Sequence, residues 1–154
     1  MKLRIAVLLL VVTTGCRGFL EDGPPPRYSS SPERLTRYLN FEVPPTSTRF
    51  VVYSSNGMGE YQLEGVASFE SEAARDATLG EPGRICPPDR DCTARHRFQR
   101  GLKRGVDPSF LNELDPKFEQ AEVSYRGEVI AGTNYHAGHL WPIGKTELLF
   151  SFAR

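Results

Sequence analysis

Residues 49–69, RFVVYSSNGMGEYQLEGVASF, predict a β-hairpin. Two β-prone runs, RFVVY and EYQLEGVASF, flank Asn56-Gly57, a pair that readily takes the positive backbone angles of a tight hairpin turn. In the second run, alternate positions are apolar at Tyr61, Leu63, Ala67 and Phe69 and polar at Glu60, Gln62, Glu64 and Ser68. This alternation predicts a strand with one face buried and one face in water.

Other strand and helix patterns surround this hairpin. Strand patterns lie at residues 38–43, 117–125, 127–132 and 146–153, and helix patterns lie at 68–80, 93–104 and 107–116. In the last helix Asp107 is the expected cap, Pro108 lies in the first turn and Pro116 is the expected end. Adjacent strands with grouped helices favour an α+β fold, with an antiparallel sheet of about five or six strands and two or three short helices on one face.

Composition places the chain among ordinary globular proteins. It has 154 residues, a quarter of them charged, and a formal net charge of zero. One domain is expected from this length, and the neutral balance argues against a nucleic-acid partner. The longest apolar run near the N-terminus, Ile5 to Val12, is far shorter than the roughly 20 residues of a membrane-spanning helix.

The N-terminus has the pattern of an export signal. Lys2 and Arg4 precede the apolar run, and the small residues Thr13-Thr14-Gly15 follow it, directly before Cys16. The stretch VVTTGC resembles the lipobox of bacterial lipoproteins, in which the cysteine is acylated and becomes the mature N-terminus. It departs from that pattern at Thr13, where an aliphatic residue is usual. An ordinary secretory cleavage, with Cys16 as a bystander, is the alternative.

This resemblance implies a protein anchored by acyl chains, such as palmitate, at Cys16. Two or more chains anchor stably, because each buried CH₂ contributes about 0.8 kcal/mol. Arg17 stands where Asp would mark inner-membrane retention in enteric-type bacteria, so the outer membrane facing the periplasm is expected. The predicted organisation is a signal peptide at 1–15, a flexible Pro- and Ser-rich linker at 16–34 and a single α+β domain at 35–154.

Cys86 and Cys92 remain as an even pair if Cys16 carries lipid. In an oxidising compartment this spacing favours a disulfide that closes a small loop, contributing roughly 2 kcal/mol. Free thiols, or a redox or metal role, are the alternatives. A zinc site usually has a second close pair, and a thioredoxin-type motif has two intervening residues where this pair has five.

The segment NYHAGHLWP, residues 134–142, carries His136 and His139 three residues apart. In a helix or tight turn two such imidazoles can bind one metal ion with a third ligand from elsewhere. The surrounding Gly and Pro residues instead predict a long ordered loop that packs Trp141 onto the sheet. A ligand-binding loop is a third interpretation.

The helix pattern at 93–104 is cationic. Ala94, Phe98 and Leu102 predict its buried side, and the opposite side carries the basic residues Arg95, Arg97, Arg100, Lys103 and Arg104. Such a face can contact anionic headgroups or an acidic partner, at about 1 kcal/mol per residue near a membrane. The alternative is a solvated face whose charges pair with Asp and Glu elsewhere.

The sequence carries no recognisable catalytic motif, so no catalytic residue, cofactor or metal is assigned. The expected function is a non-enzymatic binding or structural module of the cell envelope. Its expected partners are the membrane, through the anchor, and an envelope protein or anionic surface. A small envelope enzyme or metal-binding protein centred on His136 and His139 is the alternative.

Overall fold

The computed structural model describes residues 24–54, 61–79, 85–86, 93–95, 97–98, 105–121, 123–131 and 134–153. Of residues 85–86, 126–131 and 134–136 it describes the backbone. The helices are α1 (Pro32–Leu39), α2 (Glu72–Ala77) and α3 (Pro108–Phe118). The strands are β1 (Arg27–Ser29), β2 (Ser47–Ser54), β3 (Tyr61–Ser68), β4 (Ile85–Cys86), β5 (Ser124–Ala131), β6 (Asn134–Ile143) and β7 (Glu147–Ala153).

The described strands form one antiparallel sheet in the order β1-β2-β3-β7-β6-β5-β4. The predicted hairpin strands are neighbours in this sheet, with β2 and β3 paired from Ser47↔Ser68 to Ser54↔Tyr61. The turn residues between these strands lie outside the described residues. The predicted α+β fold with an antiparallel sheet is confirmed. Short edge strands, β1 and β4, extend the sheet to seven strands.

Both faces of the sheet are covered, whereas the sequence predicted helices on one face. The first core holds α1 against Phe50, Leu63 and Phe150, and the partly buried Ala74 of α2 packs on it. The second core holds α3 against Val51, Trp141 and Leu149. Because adjacent strand residues such as Phe50 and Val51 belong to different cores, these cores lie on opposite sheet faces. Helices cover both faces because β2 and β7 are apolar at consecutive positions, so each strand must bury both of its faces.

The predicted strand at residues 38–43 is wrong: Tyr38 and Leu39 are the end of α1, and residues 40–43 lie outside any helix or strand. Ser31 caps it by accepting a hydrogen bond from the Arg34 N–H at 3.1 Å, and Pro32 occupies its first turn. Asn40 ends it in the left-handed conformation, at φ 47°. The cap and proline determine the structure here because together they position the first helical turn, which β-propensity in the following residues does not overcome.

Part of the segment predicted as linker forms a strand and a helix. β1 pairs with β2 from Arg27↔Val52 to Ser29↔Phe50, and α1 starts at Pro32. The Tyr28 ring packs against Phe110 at a centroid distance of 5.4 Å, and its hydroxyl oxygen accepts the Asp107 N–H at 2.6 Å. Residues 27–34 are therefore part of the folded body.

Helix α3 begins as predicted and ends later than predicted. Asp107 is its cap and Pro108 lies in its first turn. Pro116 lies inside the helix, which continues to Phe118. The two residues after Pro116 occupy the last turn, where Phe118 packs against Phe98 at a ring-centroid distance of 5.1 Å. Residues 117–118 are consequently helical where a strand was predicted, and the strand in this region, β5, begins only at Ser124.

Candidate functional site

A row of polar side chains crosses the sheet on the face of the second core. Glu64 of β3 pairs in register with Ser151 of β7, and Ser151 pairs with His139 of β6. The Ser151 hydroxyl donates to Glu64 Oε1 at 3.1 Å. Ser124 at the start of β5 completes the row, with its Oγ 3.2 Å from His139 Nδ1. We call Glu64, Ser151, His139 and Ser124 the polar row.

Most of the polar row is withdrawn from solvent. Glu64 is 1% exposed and Ser124 is 5% exposed, while His139 and Ser151 are half-buried. The sequence placed Glu64 on a face in water, and this expectation is wrong because the second core covers that face. A carboxylate in such surroundings requires hydrogen-bonding partners, since burying a charge without them costs several kcal/mol.

His139 is held by packing as well as by its hydrogen bond. Its ring stacks on Trp141, at a centroid distance of 5.6 Å and an interplanar angle of 19°. Trp141 in turn meets Phe98 edge-on at 6.2 Å. A histidine in this position can exchange a hydrogen bond with Ser124 on either tautomer, and its orientation is fixed by the aromatic neighbours.

Residues 134–142 form strand β6, so the prediction of a long loop there is wrong. The burial of Trp141, which is 1% exposed, agrees with the predicted packing of this residue onto the rest of the domain. Along β6 the backbone of His136 opposes Val129 and that of His139 opposes Arg126. Positions three apart in a strand belong to opposite faces, so the strand does not provide the helical or turned geometry that a shared metal ion needs.

Close contact between strands accounts for the glycine that suggested a loop. A Cβ on Gly138 would lie 2.7 Å from Phe152 Cα and closer still to the Ser151 carbonyl oxygen. Gly138 is therefore required where β7 approaches β6, and it does not mark a turn. Among the described residues, no group of three or more His, Cys, Asp or Glu side chains is arranged to hold a metal ion.

The predicted cationic helix is described in part. Residues 94–95 and 97–98 are helical, and Ala94 and Phe98 are buried in the second core as expected. The Arg95 guanidinium pairs with Asp115 at 3.0 Å and with Glu119, both in or beside α3. Arg95 thus behaves as the predicted alternative describes, by pairing with acidic residues elsewhere. Arg100, Lys103 and Arg104 lie outside the described residues.

Of the three cysteines, the structure describes only the backbone of Cys86. Cys86 lies in β4, where it pairs with Ser124. Cys16 and Cys92 lie outside the described residues. The acylation and the disulfide therefore remain predictions.

A shallow cavity of about 280 Å³ lies on the first-core face. Its lining comprises Arg75, Asp76, Leu79, Gln120, Val123, Tyr125 and Pro142. The guanidinium of Arg75 is engaged within the protein, since Nη1 donates to the Gly144 carbonyl at 2.5 Å and Nε donates to Asp76 at 2.8 Å. This cation positions the β6–β7 turn on α2 and is not oriented towards a ligand.

Comparison with known proteins finds no matching protein-family model, no matching curated protein and no matching solved structure. Within the described residues, no helix has the length and apolar character needed to cross a membrane.

The sequence contains a signal for the burial of Glu64, but the alternation in β3 taken alone indicates a residue in water. Glu64 follows the polar alternation of β3 and so resembles a solvent-facing residue. The opposing signal lies in β2, where Phe50, Val51, Val52 and Tyr53 are apolar at both parities. Such a run indicates a strand that is covered on both faces of the sheet. A polar residue on the adjacent strand β3, such as Glu64, is then buried as well.

Proposed function

We propose that the protein is a bacterial cell-envelope lipoprotein. Acyl chains on Cys16 would anchor it, in the outer membrane facing the periplasm, and the folded domain would act as a non-enzymatic binding or structural module. The observation that carries this proposal is the sequence of a basic start, a short apolar run and VVTTGC, followed by a Pro-rich segment that leads into the domain.

The position of β1 in the sequence supports a short tether. Ten residues lie between Cys16 and Arg27, the first residue of β1. Fully extended, they span at most about 40 Å. The domain would thus work close to the membrane that anchors it.

The geometry of β6 favours the non-enzymatic role over the alternative centred on His136 and His139. The Nδ1 of His139 is within hydrogen-bonding distance of Ser124, and its ring is stacked on Trp141. The alternative needs both histidines at one site, whereas positions three apart in a strand belong to opposite faces.

The test is metabolic labelling with radioactive palmitate in a bacterial host that processes lipoproteins. We expect the native chain to carry label and to fractionate with membranes, and the Cys16→Ser variant to lose both properties. Cys86→Ser is the matched control and should remain labelled and membrane-bound. A purified native chain whose mass still includes residues 1–15, or an unlabelled Cys16, would contradict the proposal.

A further inference from the structure

The arginines of β1 and α1 differ from Arg49, Arg75 and Arg95 in their ion pairing. Arg49 pairs with Glu113 at 2.6 Å, Arg75 pairs with Asp76 at 2.7 Å, and Arg95 pairs with Asp115. The arginines of the first two elements are Arg27, Arg34 and Arg37. Among the described residues, no carboxylate lies within 4.0 Å of any of these three guanidinium groups.

These three arginines lie on one side of the molecule. Arg27 opposes Val52, which packs against the first core, so it lies on the sheet face that α1 covers. In α1 the buried residues are Leu35 and Leu39. Positions 34 and 37 are neighbours one turn apart on the remaining surface of that helix. Arg37 and Arg27 are exposed, and the Arg34 guanidinium lies 6.0 Å from the Tyr38 ring centroid.

We propose that Arg27, Arg34 and Arg37 form a docking surface for anionic phospholipid headgroups, which we call the N-terminal basic surface. The proposal rests on the proposed function, because the tether at Cys16 is what brings a bilayer within reach. The sequence assigned this role to basic residues at positions 95–104. Among them, Arg95 is already paired with Asp115 and Glu119, in and beside α3.

Charge and position both favour lipid as the occupant. A guanidinium group with no carboxylate within 4.0 Å breaks no close ion pair when it approaches a phosphate, and Arg binds phosphate oxygens through two parallel hydrogen bonds. The surface begins at Arg27, where the tether ends, so anchoring raises its effective concentration at the headgroups. The acidic residues nearby are Glu33 in α1, which accepts a hydrogen bond from the Ser31 hydroxyl at 2.7 Å, and the exposed Glu42. The Ser31 hydroxyl and, to a smaller extent, the Arg37 charge lower the pKa of the Glu33 carboxyl, so Glu33 offsets part of the positive charge of Arg37 although the two groups form no ion pair within 4.0 Å.

The test measures vesicle binding of the unacylated chain. The full chain carrying Cys16→Ser is sedimented with vesicles of phosphatidylglycerol and phosphatidylcholine, and with vesicles of phosphatidylcholine alone. We expect binding to the anionic vesicles that weakens about fivefold for Arg34→Gln or Arg37→Gln and about 20-fold for the double variant. Raising the salt concentration should remove most of the difference.

Two control variants distinguish binding through the N-terminal basic surface from a general effect of the net charge. Lys145→Gln removes an exposed cation in the β6–β7 turn, and it should weaken binding less than twofold. Glu33→Gln should strengthen binding, because it removes the carboxylate from α1. All variants share residues 1–26, so any contribution of the leader to vesicle binding cancels between them.

A double variant that binds within twofold of its parent would overturn the docking surface, as would equal binding to both kinds of vesicle. Because every chain in this experiment lacks Cys16, the result does not depend on acylation. Failure of palmitate labelling in the native chain, with the vesicle results intact, would remove the anchor and leave the lipid-binding surface standing.

Discussion

Asp107 joins two parts of the fold through single hydrogen bonds. Its carboxylate accepts the Ser109 N–H at 2.8 Å at the start of α3, and its own N–H donates to the Tyr28 hydroxyl of β1. The sequence predicted the cap because Asp before Pro is a strong helix-start signal. It did not predict the bond to Tyr28, since nothing local to either residue encodes a contact across 79 positions.

The cap predicts a specific pH dependence. The hydrogen bonds from Ser109 lower the pKa of the Asp107 carboxyl below its ordinary value. Its stabilisation is therefore present above the unfolded-state pKa and is lost as the pH falls through the lowered folded-state pKa. Asp107→Asn keeps an acceptor that does not titrate. We expect the difference in Tm between native and variant chains to shrink on acidification from pH 6 to pH 2, in thermal unfolding followed by circular dichroism. Parallel pH profiles for the two chains would refute the assignment.

The polar row shows the limit of prediction at this scale. His139 was singled out for its neighbour at position 136, but its partners come from β5 and β7. Cross-strand neighbours depend on the order and register of the strands, which a single sequence does not determine. Glu64 and Ser151 are separated by 87 residues and meet only because β3 and β7 are adjacent.

At the scale of elements, errors arose where two local signals competed. Ser31, Pro32 and Glu33 form a helix start, yet the β-prone residues after them were given more weight. In β6 the glycines and Pro142 were interpreted as loop residues, although Gly138 is demanded by the backbone of β7. Both cases have the same physical cause. A glycine or proline indicates that the backbone is constrained at that position, but it does not indicate whether a turn, a helix start or a neighbouring strand imposes the constraint.

Strand β6 yields a prediction at Gly138. Replacement by Ala would force a methyl group into the β7 backbone, so we expect a loss of about 3 kcal/mol in the free energy of unfolding. Gly105→Ala is the control. It has φ +82° and open space around the added carbon, so only backbone strain of about 1 kcal/mol applies. Urea unfolding of both variants gives the comparison. A Gly138→Ala chain as stable as Gly105→Ala would argue against the close packing of β6 and β7.

For the whole molecule, the sequence was sufficient to predict the fold class but not to predict which face of the sheet each helix covers. Alternating strands separated by turn signals predicted an antiparallel α+β sheet, because hairpins are the simplest connection between such strands. The second core was missed since α3 and residues 94–98 could be assigned to a face only after the sheet was known. The apolar positions of α3 fit either face equally well.

The N-terminal boundary of the domain is testable by truncation. A chain beginning at Pro24 keeps β1, the Ser31 cap and the Tyr28–Phe110 contact, and we expect it to unfold at the same Tm as the full chain. A chain beginning at Leu35 loses all of them. It should be less stable by about 2 kcal/mol or more, because a helix cap and an aromatic pair each contribute about 1 kcal/mol. Equal melting of the two truncated chains would restore residue 35 as the start of the domain.

Strand β1 also determines how the domain responds to mechanical force. Tension that reaches β1 along the chain from its N-terminal side is resisted by three residue pairs with β2 and by the contacts of Tyr28 with Phe110 and Asp107. These pairs carry the load before α1 does, and both cores lie beyond them along the chain. Force on the domain would therefore detach β1 from the sheet first and lengthen the extended segment that precedes α1. The other six described strands and both cores would stay intact.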